Sequence, residues 1–120
     1  MEMDVTEPLK LDEGRQEGEV TRLEYRETPY RYTDVYIREK TTQLELKYGC
    51  PTSGSVNGKL MKLLAKFQKV AAGMKIDPEK VLVGKEVVFM TQNEETKDGT
   101  FIRVVDNSVK PKTEVKEEQV

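Results

Sequence analysis

The chain has 120 residues, a formal net charge of −2, one cysteine, no histidine and no tryptophan. That length limits it to one domain and is enough to bury a core without staples. A lone cysteine, Cys50, excludes an intrachain disulfide, and with no histidine it also excludes the usual structural zinc sites and the histidine forms of the catalytic triads.

The charge is unevenly spread. Residues 1–17 hold six acids and two bases, residues 107–120 hold three of each, and the segment between them holds fifteen bases and thirteen acids. The expected domain, 18–107, is therefore mildly basic, between an acidic N-terminal arm (1–17) and a charged C-terminal tail (108–120), both expected to be flexible. The longest apolar run, Val87–Met90, is far short of a membrane span. Met1 to Asp12 lacks the basic-then-apolar pattern of a signal peptide, so the expectation is a cytoplasmic protein with no membrane partner.

Three strand-like runs come first: Gly18–Arg26, Tyr30–Arg38 and Thr41–Tyr48. In the second, Val35 and Ile37 alternate with Tyr32, Asp34, Tyr36 and Arg38. In the third, Leu44, Leu46 and Tyr48 alternate with polar residues. This period of two predicts an antiparallel meander with one apolar and one polar face. Val20 and Leu23 are three apart, which strict alternation cannot place on one face, so a bulge is expected between them.

Gly49 to Ser55 is rich in turn residues. From about Ser55 the period changes: Leu60, Leu63, Leu64, Phe67, Val70 and Ala71 recur every three or four residues, opposite Lys59, Lys62, Lys66 and Lys69. The pattern predicts one amphipathic helix of about four turns, capped by Ser53 or Ser55 and ended by Gly73. Asp77-Pro78 has the chemistry of a cap and a first helical position, so a short helical turn is expected there. Two more strands follow, Glu86–Thr91 and Thr100–Val105, joined by a polar turn over Gln92–Gly99. The expected core is Val20, Val35, Ile37, Leu44, Leu46, Leu60, Leu63, Leu64, Phe67, Val87, Phe89, Ile102 and Val104, with the parity of the last strands left open by Val88 and Val105.

The order strand-strand-strand-helix-strand-strand resembles the oligonucleotide/oligosaccharide-binding (OB) fold over residues 18–107, most nearly its small single-strand-binding and replication-associated members of phages and archaea. The residues that carry the resemblance are Gly18-Glu19-Val20, the helix with Leu60, Leu63 and Leu64, Val83-Gly84-Lys85 and Asp98-Gly99. It implies an all-β domain with one helix, a five-stranded Greek-key barrel. The rival architecture is an open five-stranded sheet with one helix across it.

Four of the five tyrosines lie within residues 25–36. Rings for bases and cations for phosphates are what single-strand binding needs, so Tyr32 and Tyr36, assisted by Tyr25 and Tyr30, are the expected stacking residues. Arg22, Arg31 and Arg38, with Arg26, Lys40 and Lys47, are the expected phosphate contacts. The expected function is non-catalytic binding of single-stranded DNA or RNA, DNA favoured. The same face could instead serve protein contact or homo-oligomeric assembly, or be an ordinary solvated sheet, since acids interleave with the bases. The helix lysines read as the wet side of a helix rather than a phosphate track. The C-terminal tail is expected to recruit a replication or recombination protein, by a faint likeness to bacterial single-strand-binding proteins. No enzyme activity, metal or cofactor is expected: Cys50 reads as a bystander in a turn, and Glu94, Glu95 and Asp98 lack the spacing of a calcium loop.

Overall fold

The structure, a computed structural model, describes residues 13–53, 55 and 57–112. Residues 1–12 of the expected acidic arm and 113–120 of the expected recruiting tail lie outside the described residues. The elements run β1 (Gly14–Arg26), β2 (Tyr32–Glu39), β3 (Glu45–Pro51), α1 (Lys59–Ala65), α2 (Pro78–Leu82), β4 (Glu86–Thr96), β5 (Gly99–Val104) and β6 (Lys110–Pro111). One antiparallel sheet has the order β3-β2-β1-β4-β5, with β6 also paired to β4.

The long first strand serves two neighbours. Its first part pairs with β4, from Gly14 opposite Thr91 to Glu19 opposite Glu86. Its second part pairs with β2, from Gly18 opposite Glu39 to Arg26 opposite Tyr32. The register shifts between Val20 and Arg22, the bulge that the Val20–Leu23 spacing requires. Beside it, the Val20 amide donates to the Lys85 carbonyl and the Val20 carbonyl accepts from the Gly84 amide, so the chain entering β4 is fastened at the bend. Gly18 sits where the two pairings overlap, and a side chain there would collide with the Arg38 carbonyl oxygen.

The inner face holds the core. Val20, Val35, Ile37, Leu46, Leu60, Leu63, Leu64, Val87, Phe89 and Val104 are buried, and Leu44, Phe67 and Ile102 pack against them half-buried. Tyr48, Cys50, Val81, Leu82, Val88 and Val109 are buried as well, beyond the expected set. Burial pushes the Cys50 thiol up to about 11, so it stays protonated at neutral pH.

The sheet is open, which overturns the OB-fold resemblance and the closed Greek-key barrel. β3 and β5 approach one another, but no ladder joins them among the described residues, and the hydrogen-bonded path ends on these two strands. The reason lies in the composition of the last hairpin. β4 runs on to Thr96, so most of the expected turn over Gln92–Gly99 is strand, and only Lys97 and Asp98 connect it to β5. Asn93, Glu95 and Thr100 occupy inward positions of this extension, and such side chains cannot line a dry core. Residues 92–101 and Arg103 are exposed, and the hairpin leaves the body rather than closing it.

The helical region also departs from the expected single four-turn helix. α1 ends at Ala65, where the amides of Lys66 and Phe67 bond three residues back, to Leu63 and Leu64, tightening the last turn. Gly58 precedes it without a side-chain cap, while the Ser53 and Ser55 hydroxyls accept from the amides of Ser55 and Asn57 in the preceding loop. α2 is the short turn that Asp77-Pro78 predicts: Asp77 accepts from the Glu79 amide, and Pro78 takes the first helical position.

The C-terminal boundary lies further on than residue 107. Val109 is fully buried, and Lys110–Pro111 pairs with Val87 and Val88 on the edge of β4 opposite β1. At the other end of the core, the buried Glu39 carboxylate organises the β2–β3 turn. It accepts from the Thr41 and Thr42 amides at 2.6 and 2.8 Å and from the Thr42 hydroxyl at 2.8 Å. Burial would raise its pKa, but these donors outweigh burial and hold it below the ordinary carboxylate value.

Two outcomes follow. Gly18→Ala forces the strand crossing apart and should destabilise the fold by about 1–3 kcal/mol in urea denaturation. A lowered Glu39 pKa stabilises the fold at neutral pH, and that contribution disappears as pH falls through the folded-state value. Glu39→Gln should therefore be less stable than the parent at pH 7, with the difference shrinking as pH falls below the ordinary carboxylate range.

Candidate functional site

The outer face of β1, β2 and β3 is the face expected to bind nucleic acid. Its rows follow from the register: Glu19, Arg38 and Glu45; Arg22, Tyr36 and Lys47; Glu24, Asp34 and Gly49; Arg26, Tyr32 and Pro51. Four cations and four acids alternate across it, so the face carries no net charge.

Its groups are engaged with one another. Arg22 pairs with Glu24 and, at 2.9 Å, with Glu45. Its guanidinium lies 3.9 Å from the Tyr36 ring centroid, and the Tyr36 hydroxyl donates to Glu24 at 3.1 Å. Arg26 grips Asp34 with two nitrogens, Nε at 2.6 Å and a terminal nitrogen at 3.1 Å, while its guanidinium lies 5.0 Å from the Tyr32 ring centroid. Asp34 is buried beneath it, beside Gly49, where a Cβ would stand 3.2 Å from the carboxylate. Glu24 and Asp34, opposite one another on β1 and β2, are thus held by two different arginines.

Of the remaining candidates, only Arg38 and Lys47 share this face. Tyr25 is half exposed on the inner side of β1, near Glu79 at the start of α2, and burial and that carboxylate raise its pKa. Tyr30 and Arg31 are exposed in the loop before β2, and Tyr30 is 72% exposed. Lys40 lies in the β2–β3 turn, 3.9 Å from Glu17. Arg38 and Lys47 are exposed on the outer face. The reading of this face as a nucleic-acid or assembly surface is therefore corrected. Two of the four rings are covered by the protein's own arginines, the other two lie elsewhere, and the cations are balanced by acids. The DNA-binding and replication roles inferred from the barrel fall with it.

Two of the four helix lysines have a structural task that neither expectation anticipated. Lys59 pairs with Asp106 at 2.9 Å and lies 4.4 Å from the Tyr48 ring centroid. The Tyr48 hydroxyl accepts from the Asn107 amide at 3.0 Å. Lys66 donates to the carbonyls of Asn107 and Val109 at 2.5 and 3.2 Å. Together they fasten a strap, Val105–Lys112, across the end of the sheet, and Lys112 completes it by pairing with Glu17 at 3.4 Å. A cleft of about 240 Å³ beside that contact is lined by Glu17, Glu19, Glu86, Arg38, Lys40 and Lys112, again with balanced charge.

The third feature is the β4–β5 hairpin. Glu94 lies opposite Phe101 and Gln92 opposite Arg103, on the face turned away from the core. Phe101 is 53% exposed, and Met90, on the same face nearer the body, is 42% exposed. The Val105 amide donates to the Met90 carbonyl, which sets the phase of the ladder. Gly99, Phe101 and Arg103 then bond inward to β4, while the backbone groups of Thr100 and Ile102 point outward. Among the described residues no strand pairs with that outer edge. The Phe-Ile-Arg-Val run of β5 is visible in the sequence, but its exposure depends on where β4 ends.

Among the described residues, no three cysteine, aspartate or glutamate side chains are grouped so as to hold a metal ion, Glu94, Glu95 and Asp98 included. No helix among them is long and apolar enough to cross a membrane. Removing Arg26 leaves the buried Asp34 carboxylate without its main partner, so Arg26→Ala should clearly lower the urea midpoint. Arg38→Ala on the same face should stay within about 0.5 kcal/mol, both read by urea denaturation.

Compared with protein-family models and with curated proteins, the chain matches none.

Proposed function

We propose that this chain is a non-catalytic protein-docking module whose β5 edge takes an extended strand from a polypeptide partner. The observation that carries the reading is the outer edge of β5: among the described residues no strand pairs with the outward backbone groups of Thr100 and Ile102, which lie beside an exposed Phe101. Such an edge is a template for strand addition, in which backbone hydrogen bonds supply affinity and alternate side chains supply selectivity. The surface differs from the tyrosine-bearing outer face of β1–β3.

The two sheet edges are unlike. β3 presents Lys47 along its length and ends on Pro51, and charged residues and proline are common protections of an edge. β5 reads Gly-Thr-Phe-Ile-Arg-Val, β-branched and aromatic except for its glycine and arginine, with no proline. The tip of the hairpin, residues 92–101, is exposed, so an added strand would meet few neighbouring elements there. A protonated, buried Cys50 and the lack of histidine support a binding rather than a catalytic role.

The test uses a blocked pentapeptide, Thr-Val-Thr-Val-Thr, as an extended probe in a titration of the isotope-labelled chain. Amide shifts centred on Thr100 and Ile102 are expected. Thr100→Pro, which removes an outward amide and leaves the β4 ladder intact, should abolish them. Shifts centred on Lys47 and Gly49 of β3 would overturn the reading, as would none at any probe concentration from a chain that stays monomeric.

A further inference from the structure

We infer that the strand accepted by β5 is β5 of a second copy of this chain, antiparallel to the first, with the two-fold axis at Phe101. This rests on the docking reading above and names its partner. The exposed part of β5, Gly99–Arg103, is self-complementary in that register. Thr100 and Ile102 each carry outward backbone groups and would lie opposite Ile102 and Thr100 of the second copy, exchanging hydrogen bonds. Phe101 would then face its own counterpart in the closer, non-hydrogen-bonded position, where aromatic side chains pair well.

Charge agrees with this pairing. Arg103 would lie opposite Gly99 of the other copy, so no like charges oppose each other across the seam. Phe101, half exposed in the single chain, would be covered from the side that β4 leaves open. The contact is isologous: the same residues serve on both sides and the association closes at two copies. The product is a continuous four-stranded ribbon, β4-β5-β5-β4, bridging two bodies. Val104, whose side chain is already buried in its own core, lies outside the seam.

Sedimentation of the full chain over a wide concentration range should show a reversible monomer–dimer equilibrium, weakened by Phe101→Asp. Position-specific crosslinking then reads the register. Under mild oxidation with glutathione disulfide, Phe101→Cys should form a disulfide-linked dimer about tenfold or more faster than Lys97→Cys at the exposed hairpin turn, because pairing raises the local thiol concentration. The native Cys50 is buried and does not compete. A chain that stays monomeric throughout overturns the self-pairing, as does a dimer in which Phe101→Cys crosslinks no faster than Lys97→Cys. If the chain is monomeric yet the pentapeptide shifts Thr100 and Ile102, only the second-copy inference falls. If the peptide has no effect and no dimer forms, the docking reading falls with it.

Discussion

The fold depends on one backbone crossing. β1 has to pair with β4 along its first part and with β2 along its second, and the two pairings overlap at Gly18 and Glu19. Two neighbours on opposite edges of one strand, joined through a bulge, turn a flat ribbon into a curved sheet that can wrap one side of a core. Val20 is buried at that bend, and Gly84 and Lys85 are hydrogen-bonded to it on the way into β4. The closeness of Gly18 to the Arg38 carbonyl is the price of the crossing, and it is why a side chain is excluded there. Both helices lie in the connection between β3 and β4, on the concave side that this curvature creates.

The outer face illustrates how composition can mislead about binding. Tyrosines and arginines close together in sequence resemble a stacking surface, yet the same two residue types are suited to each other. A guanidinium laid over a ring satisfies a weakly hydrated cation and covers an exposed aromatic at once. With Glu24, Asp34 and Glu45 in reach, Arg22 and Arg26 have carboxylates as well as rings. For a base to reach Tyr36 or Tyr32, it would have to displace an arginine already held by carboxylates. Arg22 and Arg26, with their rings and carboxylates, form a stabilising network on this face, beside which Arg38 and Lys47 stand exposed.

Local signals in the sequence were reliable where one element dictates its own geometry. Alternation located β2 and, displaced by three or four residues, β3; the Val20–Leu23 spacing located the bulge in β1, and Asp77-Pro78 located the start of α2. The core positions followed from the same periodicities. What escaped was decided by relations between distant segments. The leucine periodicity that predicted four turns is shared by α1 and by the half-buried Phe67 and Val70 beyond it, which reach the core without a continuous helix. Val109 is a single apolar residue in a polar stretch, and its burial goes with the pairing of the next two residues to β4. Closure into a barrel is a question of whether two edges meet. Element order does not answer it, whereas the polar inward positions Asn93 and Glu95 do. Among the candidate site residues, Tyr32, Tyr36, Arg22 and Arg26 do come together, but into contacts that use up their binding capacity; Tyr25 and Tyr30 could not be separated from them without the register.

The distance along the chain between the two strands at the centre of the sheet also governs how the molecule must assemble. β1, β2 and β3 are neighbours in sequence and can form a meander early, as short loops close quickly. β4 has to come back to β1 across some seventy intervening residues, as the pairing of Gly14 with Thr91 shows, and such long-range pairings slow folding. The strap from Val105 to Lys112 can dock only after β4 is in place, because Val87 and Val88 form the ladder it joins. A segment that arrives last and is held by a two-residue strand, a few lysine contacts and one buried valine is also the natural first segment to open. Faster amide exchange at Lys110 than at Val35 would be the signature of that order, and the sheet would retain its meander while the strap comes and goes.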